Sequence, residues 1–374
     1  MTIFLLRLAG IQGLILGIAL LRKKTNIKAN RILSLVTILL GGYCFFYSFN
    51  NLNFYIKYPH LIRIDWGLLL IIAPLMYLYT LYLINQEHKW FKKMYMHFFP
   101  YVLNLLILLP FFMKSGEEKI QILDYFSAML TIGTDSYSTY SFLLYFSIAC
   151  INIFYVYRCI STVKKHEVKI KNEYSQIEKF KIRKLYNILY AYGILSFIFI
   201  LSSIVIFGNR YPTFDYNLYY FIFMSLVIYW LSYQALEQPF EIYSTNQQES
   251  TTDIFKRTTE QDLIKAEEIR SIVKEKKLFL NSDLTASQLA NLCDISRHDL
   301  SHILNMVIKK KFYDFINDYR VEEFKNRIQS KSNSKLTLLG IAYESGFNSK
   351  TTFNVAFKKN TGFTPSQFKK NLQK

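Results

Sequence analysis

Two histidines stand four positions apart in RHDLSH, His298 and His302. On a helix that spacing puts both imidazoles on one face, where metal hydrolases use such a pair to hold zinc. The water-activating Glu would directly follow the first His. Here Asp299 does, one methylene too short to reach the same water, and no third ligand is evident. The pair is therefore left to partner contact or a plain surface role, and no metal is expected. Cys44, Cys150, Cys159 and Cys293 have no paired spacing and no nearby His, so they read as small apolar fillers. Paired carboxylates, a phosphate-cradling Gly loop and a Ser/His/Asp constellation do not stand out, which gives catalysis no support and implies no cofactor. The chemistry left is electrostatic: Lys309, Lys310 and Lys311 form one run and Lys358 and Lys359 another, each able to neutralise an anionic surface.

The elements around these residues follow one plan, used twice. LTASQLANLCDISRHDLSHILNMV, from Leu284, reads as helix, tight turn, helix: Thr285 or Ser287 starts the first helix and Ser296 is a good N-cap for the second. Ala290 is small where two helices must cross closely, and Leu289, Leu292, Ile295, Leu300 and Ile303 can fill the wedge between them. LTLLGIAYESGFNSKTTFNVAFKK repeats the plan with Leu339 and Ala342, Phe347 and Phe353 inside, Ser349 as N-cap, and Gly346 at a turn where φ > 0 is needed. Ala342 to Ser349 is one position longer than Ala290 to Ser296, so the second turn is the longer one. Between the copies, FYDFINDYRVEEFKNRIQ places Phe312, Phe315, Ile316, Tyr319, Phe324 and Ile328 at helical spacing. A bridge of about 17 residues makes about 25 Å of helix. That length can set two recognition helices near one DNA turn, about 34 Å apart, in successive major grooves.

With those residues in place, 284–374 resembles the DNA-binding domain of the AraC/XylS family of bacterial transcription regulators. GIAYESGFNSKTTFNVAFKKNTGFTPSQFKK carries the family's signature positions at Ala342, Gly346, Phe347, Phe353, Phe357, Lys358, Gly362 and Pro365, and YRVEEFK and LSHILN are similar to the family as well. The resemblance implies that the first recognition helix reads bases through Arg297, His298, Ser301 and His302, and the second through Lys350, Thr351 and Asn354. Ser296, Ser349, Lys309, Lys310, Lys311, Lys358 and Lys359 are the phosphate-contact candidates, which orient a domain on DNA without specifying sequence. The chain departs from the pattern at Cys293, where many members have Gly, at Lys310 or Lys311, which replaces a common Gly, and at Val355, where Arg is frequent. Residues 1–240 lack the family's usual cupin-like ligand-binding domain.

Those preceding residues are built for a different solvent. The chain has 374 residues, 51% hydrophobic and 17% aromatic, with a net charge of +18, and most of the apolar weight lies before Pro239. About 20 largely apolar residues cross a hydrocarbon core about 30 Å thick, and such runs are expected near 2–21, 32–49, 66–84, 95–113, 138–157, 186–207 and 217–236. Five, three and nine Lys or Arg follow the first, third and fifth runs, while the alternating connections are poor in them. By the positive-inside rule the N-terminus is outside and the C-terminus cytoplasmic. Arg22, Lys23 and Lys24 come after the first apolar run, unlike the leading charge of a cleavable signal peptide. Asn104 and Asn152 are expected to hydrogen-bond between helices. Pro74, Pro100 and Pro110 are candidates for kinks that open a cavity.

The expected architecture is all-α: a seven-helix transmembrane bundle at 1–240, a polar linker at 241–261, a connecting amphipathic helix at 262–283 with Leu263, Ile269, Ile272 and Val273 on one face, and a cytoplasmic double helix-turn-helix domain at 284–374. The function this implies is a regulator of the bacterial inner membrane that binds double-stranded promoter DNA in response to an unidentified signal ligand, with the lipid bilayer and a second copy of the chain as further candidate partners. The alternative is a membrane receptor or transporter whose C-terminal helical domain recruits another protein.

Overall fold

A computed structural model describes residues 2–24, 27–49, 52–84, 95–122, 139–177, 182–208, 216–237, 259–329 and 336–372. Among these residues the regular structure is helical, with one isolated antiparallel bridge between Tyr174 and Thr285. The chain divides into two compact units: Met1–Val163 with Arg183–Ile242, and Lys164–Ile182 with Tyr243–Lys374. Residues 164–182, which the sequence pattern groups with the apolar half, thus belong to the C-terminal unit. The linker at 241–261 falls almost wholly outside the described residues.

In the first unit, α1 (Thr2–Arg22) and α2 (Ile27–Tyr47) approach closely enough that a Cβ on Gly13 would sit 2.7 Å from the Thr37 carbonyl oxygen. A side chain there would push the pair apart, the small-residue contact typical of helices packing without a strong hydrophobic drive. After the short α3 (Leu52–Lys57) comes α4 (Leu69–Leu83), buried on almost every side. α5 (Phe99–Phe112), the long α6 (Thr139–Glu173), α7 (Ile182–Gly208) and α8 (Tyr216–Glu237) follow. Asn152 ties α6 to α7: its Oδ1 accepts from Tyr192 Oη at 2.6 Å and Ser196 Oγ at 3.2 Å. Asn104 Nδ2 donates to the Trp66 carbonyl at 3.2 Å. A cavity of about 130 Å³ lies among Tyr43, Tyr47, Tyr55, Asp65, Tyr145 and neighbouring apolar side chains; none of the three prolines lines it.

The expectation of seven spans is corrected. Among the described residues, five helices are long and apolar enough to cross a membrane: Ile3–Arg22, Ile27–Tyr47, Tyr95–Phe112, Phe142–Glu173 and Ile182–Val205. Leu69–Leu83 and Tyr219–Leu231 are shorter apolar stretches. α4 cannot begin at residue 66 because the chain turns just before it, with positive φ at Arg63 and Gly67. Its 15 residues rise about 22 Å, short of a core about 30 Å thick.

In the second unit, α9 (Glu260–Glu275) starts on a reciprocal cap between Thr259 and Asp262. Ala266, Ile269 and Val273 are buried, whereas Leu263, which the helical pattern places on the same face, is exposed. The first motif is α10 (Ala286–Leu292) and α11 (Arg297–His302), the latter running into a π turn at Ile303–Val307. α12 (Phe312–Gln329) leads to the second motif, α13 (Leu338–Glu344) and α14 (Lys350–Thr361), and α15 (Pro365–Leu372) ends the unit. Its described residues form two cores. Leu289, Leu300 and Ile303 pack with Phe312, Phe315 and Ile316 of α12 in one, and Phe347, Phe353 and Phe357 pack with Val321 and Phe324 in the other. α12 therefore holds the two motifs apart at a fixed spacing. Leu292, expected in the first wedge, is exposed: Leu289 and Ala290 form the buried face of this short helix, and Leu292 falls outside it.

Candidate nucleic-acid interface

Both recognition helices start as their sequence predicts. Ser296 Oγ accepts from the Asp299 N–H at 3.0 Å and Ser349 Oγ from the Thr352 N–H at 3.2 Å, while Thr285 and Gln288 form a reciprocal cap on α10. These bonds satisfy backbone donors that the helix itself leaves open. The turns need left-handed backbone, supplied by Asp294 with φ 51 and by Gly346 with φ 94.

The second motif presents one open polar face. On α14, Thr352, Phe353, Ala356 and Phe357 point into the core, while Lys350, Thr351, Asn354, Val355, Lys358 and Lys359 are exposed. Lys350, Asn354 and Lys358 are spaced by four and share a helix face. Lys359 Nζ lies 2.6 Å from Asp314 Oδ1 of α12, so its charge is already partnered.

The first motif places its candidates differently. His298 is exposed, Ser301 is half-buried and accepts from Asn305 Nδ2 at 3.3 Å, and His302 turns towards α9 with Nε2 3.8 Å from Asp262 Oδ2. The Asp262 carboxyl is held below its usual range by the Thr259 backbone N–H and hydroxyl that donate to it. The two histidines thus face different surroundings, and no group of three or more metal-ligating side chains occurs among the described residues. Lys309 and Lys310 are exposed and Lys311 half-buried, with Lys310 paired to Asp318.

Arg297 is the most engaged of the candidates. Its Nε donates to Glu173 Oε2 at 2.8 Å, and its Nη2 lies 2.7 Å from the same oxygen and donates to the Asn172 carbonyl at 2.8 Å. Glu173 Oε1 in turn accepts from Ser287 Oγ of α10 at 2.7 Å. Two residues on, Ser175 Oγ donates to the Leu284 carbonyl at 2.9 Å. The Ser175 carbonyl accepts from Arg320 Nη1 at 3.2 Å, and Arg320 Nη2 donates to Ser175 Oγ at 3.1 Å. Arg320 is fully buried and also donates to the Phe279 and Asn281 carbonyls. Burial lowers its guanidinium to about 10, which leaves it charged at neutral pH. Sequence reasoning missed Glu173, Ser175 and Arg320, and offered Ser287 only as an alternative helix start, a role that Thr285 takes. Nothing in the sequence singles out Glu173 from Glu167 and Glu178, the other acids of the same basic loop.

Residues 289–371 match a helix-turn-helix domain family. A transcriptional regulator of helix-turn-helix type from Pseudoalteromonas carrageenovora, in the cgkA 5′ region and itself uncharacterised, is 29% identical over 113 residues, or 28% of this chain and 65% of that relative. The chain therefore spans somewhat under two thirds of that relative's length. No solved structure matches at a significant level.

Proposed function

We propose that the protein is a membrane-anchored transcription regulator of the AraC/XylS type, whose C-terminal unit binds promoter DNA in a sequence-specific way. The observation that carries this reading is the exposed face of α14, where Lys350, Thr351 and Asn354 stand clear of the core on a capped recognition helix. Such a helix fits the major groove, where Lys and Asn side chains can distinguish base edges. The match of residues 289–371 to a helix-turn-helix family supports the same reading.

Anchoring is supported by what the first unit exposes. Ile3, Phe4, Ile15 and Ile18 on α1, Leu106 and Ile107 on α5, Phe142, Phe146 and Ile153 on α6, and Phe197 and Ile204 on α7 are all exposed. Water would penalise so much contiguous apolar surface and lipid would not. Nine Lys or Arg in 158–184 favour the cytoplasm for that loop. Residues 164–182 and 243–374 form one compact unit, which favours the same side of the membrane for both. The membrane half detects an unidentified stimulus and alters the access of the C-terminal unit to DNA.

Selection of duplexes from a random-sequence pool by the full chain in lipid nanodiscs tests the proposal. Enrichment of a defined motif is expected, weakened by Lys350→Ala. Recovery of unenriched sequence, with affinity that depends on salt alone, would contradict specific DNA reading.

A further inference from the structure

We infer that residues 172–176 are a displaceable occupant of the first recognition helix, holding Arg297 away from DNA, so that the first motif reads DNA only after they leave. The inference rests on the DNA-binding reading and adds to it the means of regulation.

Arg297 is the first residue of α11. The N-terminal residues of a recognition helix are those that meet base edges and phosphates. In this structure its guanidinium is spent on Glu173 and on the Asn172 carbonyl, at 2.7–2.8 Å. A carboxylate engaged by an Arg in this way supplies the charge-assisted bonds that a phosphate oxygen or a guanine edge would supply. Glu173 is thus a chemical substitute for the nucleic acid at that position. It is also an acid where phosphates would approach, so its presence opposes DNA by charge as well as by bulk. The same carboxylate takes the Ser287 hydroxyl, which binds it to both helices of the motif.

The segment is seated by the backbone bridge from Tyr174 to Thr285 and by the Arg320 bonds to the Ser175 carbonyl and hydroxyl. Its seating is imperfect. Gln176 is buried, yet neither of its side-chain amide atoms finds a partner among the described residues, and the buried Asn172 Oδ1 finds none either. Buried polar atoms left unpaired oppose docking, which suits a contact that must be reversible. Glu173 is also the last residue of α6, a helix whose residues 139–163 belong to the first unit. A charge-assisted bond of 2.8 Å is lost once its partners part by about 1 Å. A small displacement of α6 along its axis is therefore enough to release Arg297, and it needs no contact other than the continuous helix.

The test uses the full chain in nanodiscs and a duplex that the chain itself enriches from a random pool. Glu173→Gln keeps the shape and removes the charge, and should tighten binding roughly tenfold, the scale of one charged hydrogen bond. Arg297→Ala should abolish that gain when added to Glu173→Gln. In the unaltered chain, hydrogen exchange at the Ser175 amide should quicken when saturating duplex is added. Unchanged or weaker affinity in Glu173→Gln, or a Ser175 amide as protected with duplex as without it, would overturn the inference while leaving DNA reading intact. If neither form enriches or binds any duplex, the DNA-binding reading fails and this inference falls with it.

Discussion

In the first helix-turn-helix copy a six-residue recognition helix runs into a π turn, with Arg297 held by Glu173 and His302 turned against α9. In the second, twelve residues of regular helix carry Lys350, Asn354 and Lys358 on an open face. The two copies share caps and a wedge, so the difference lies in their surroundings: the recognition helix of the first is engaged on both sides, by α9 and by residues 172–176, and that of the second packs against α12 and α15 and keeps an open polar face. Duplication of a motif does not duplicate its availability. Under the proposed function, the second copy would meet DNA in the structure as it stands, and the first would do so only after residues 172–176 leave.

The largest expected effect concerns the turns. A Cβ on Gly346 would lie 2.3 Å from the Phe279 carbonyl oxygen and 2.9 Å from the Leu280 Cα, at φ 94. That oxygen is also the acceptor of Arg320 Nε at 2.8 Å, so the backbone there is not free to yield. Gly346→Ala should cost about 3 kcal/mol or more, the sum of left-handed strain and overpacking. Asp294, at φ 51 in the first copy, belongs to a residue type that tolerates this region. Asp294→Gly should stay within about 1 kcal/mol. Hydrogen-exchange protection of α14 and α11 amides measures both, and equal losses at the two turns would remove the asymmetry.

Next in size is base reading. Lys350→Ala and Asn354→Ala should each cost about 1–3 kcal/mol on the preferred duplex and relax discrimination at one or two base pairs. Arg297→Ala in the unaltered chain should cost less than either, because Glu173 already holds that guanidinium. Affinities on preferred and scrambled duplexes give the ratio. A larger loss from Arg297→Ala than from Lys350→Ala would reverse the ranking of the two helices.

Much of the C-terminal unit was legible because its signals are local. Ser296 and Ser349 begin helices, Gly346 adopts positive φ, and the alternation of Phe312, Phe315 and Ile316 with Phe324 shows one helix serving two cores. The role of 164–182 was not legible. Arg297 and Glu173 are 124 positions apart, and one acid of three in a basic loop looks the same whether it faces water or an arginine. The apolar half shows the opposite weakness: hydropathy finds apolar runs but not where helices begin, and the turn at Arg63–Gly67 removes the first residues from what composition alone reads as a full span. Leu263 failed for a related reason, since helical periodicity names a face without naming what covers it.

The smallest expected effect separates two neighbouring lysines. Lys358 and Lys359 are both exposed in the last turn of α14, and sequence treats them alike. Lys359 Nζ sits 2.6 Å from Asp314 Oδ1, whereas the described residues show no ion pair for Lys358. A phosphate that meets Lys358 releases a counterion outright, so Lys358→Ala should lower the magnitude of the log-log salt slope by about one and weaken all sequences alike. For Lys359 the phosphate must compete with a carboxylate already in place. Part of the charge that would release a counterion is neutralised before DNA arrives, and the slope change on Lys359→Ala should be clearly smaller. Asp314→Asn should then raise the Lys359 contribution towards that of Lys358. Isotherms on a scrambled duplex at several salt concentrations read all three, and equal slope changes for the two lysines would mean that DNA breaks the Asp314 pair at no measurable cost and that α12 does not tune the electrostatics of the second copy.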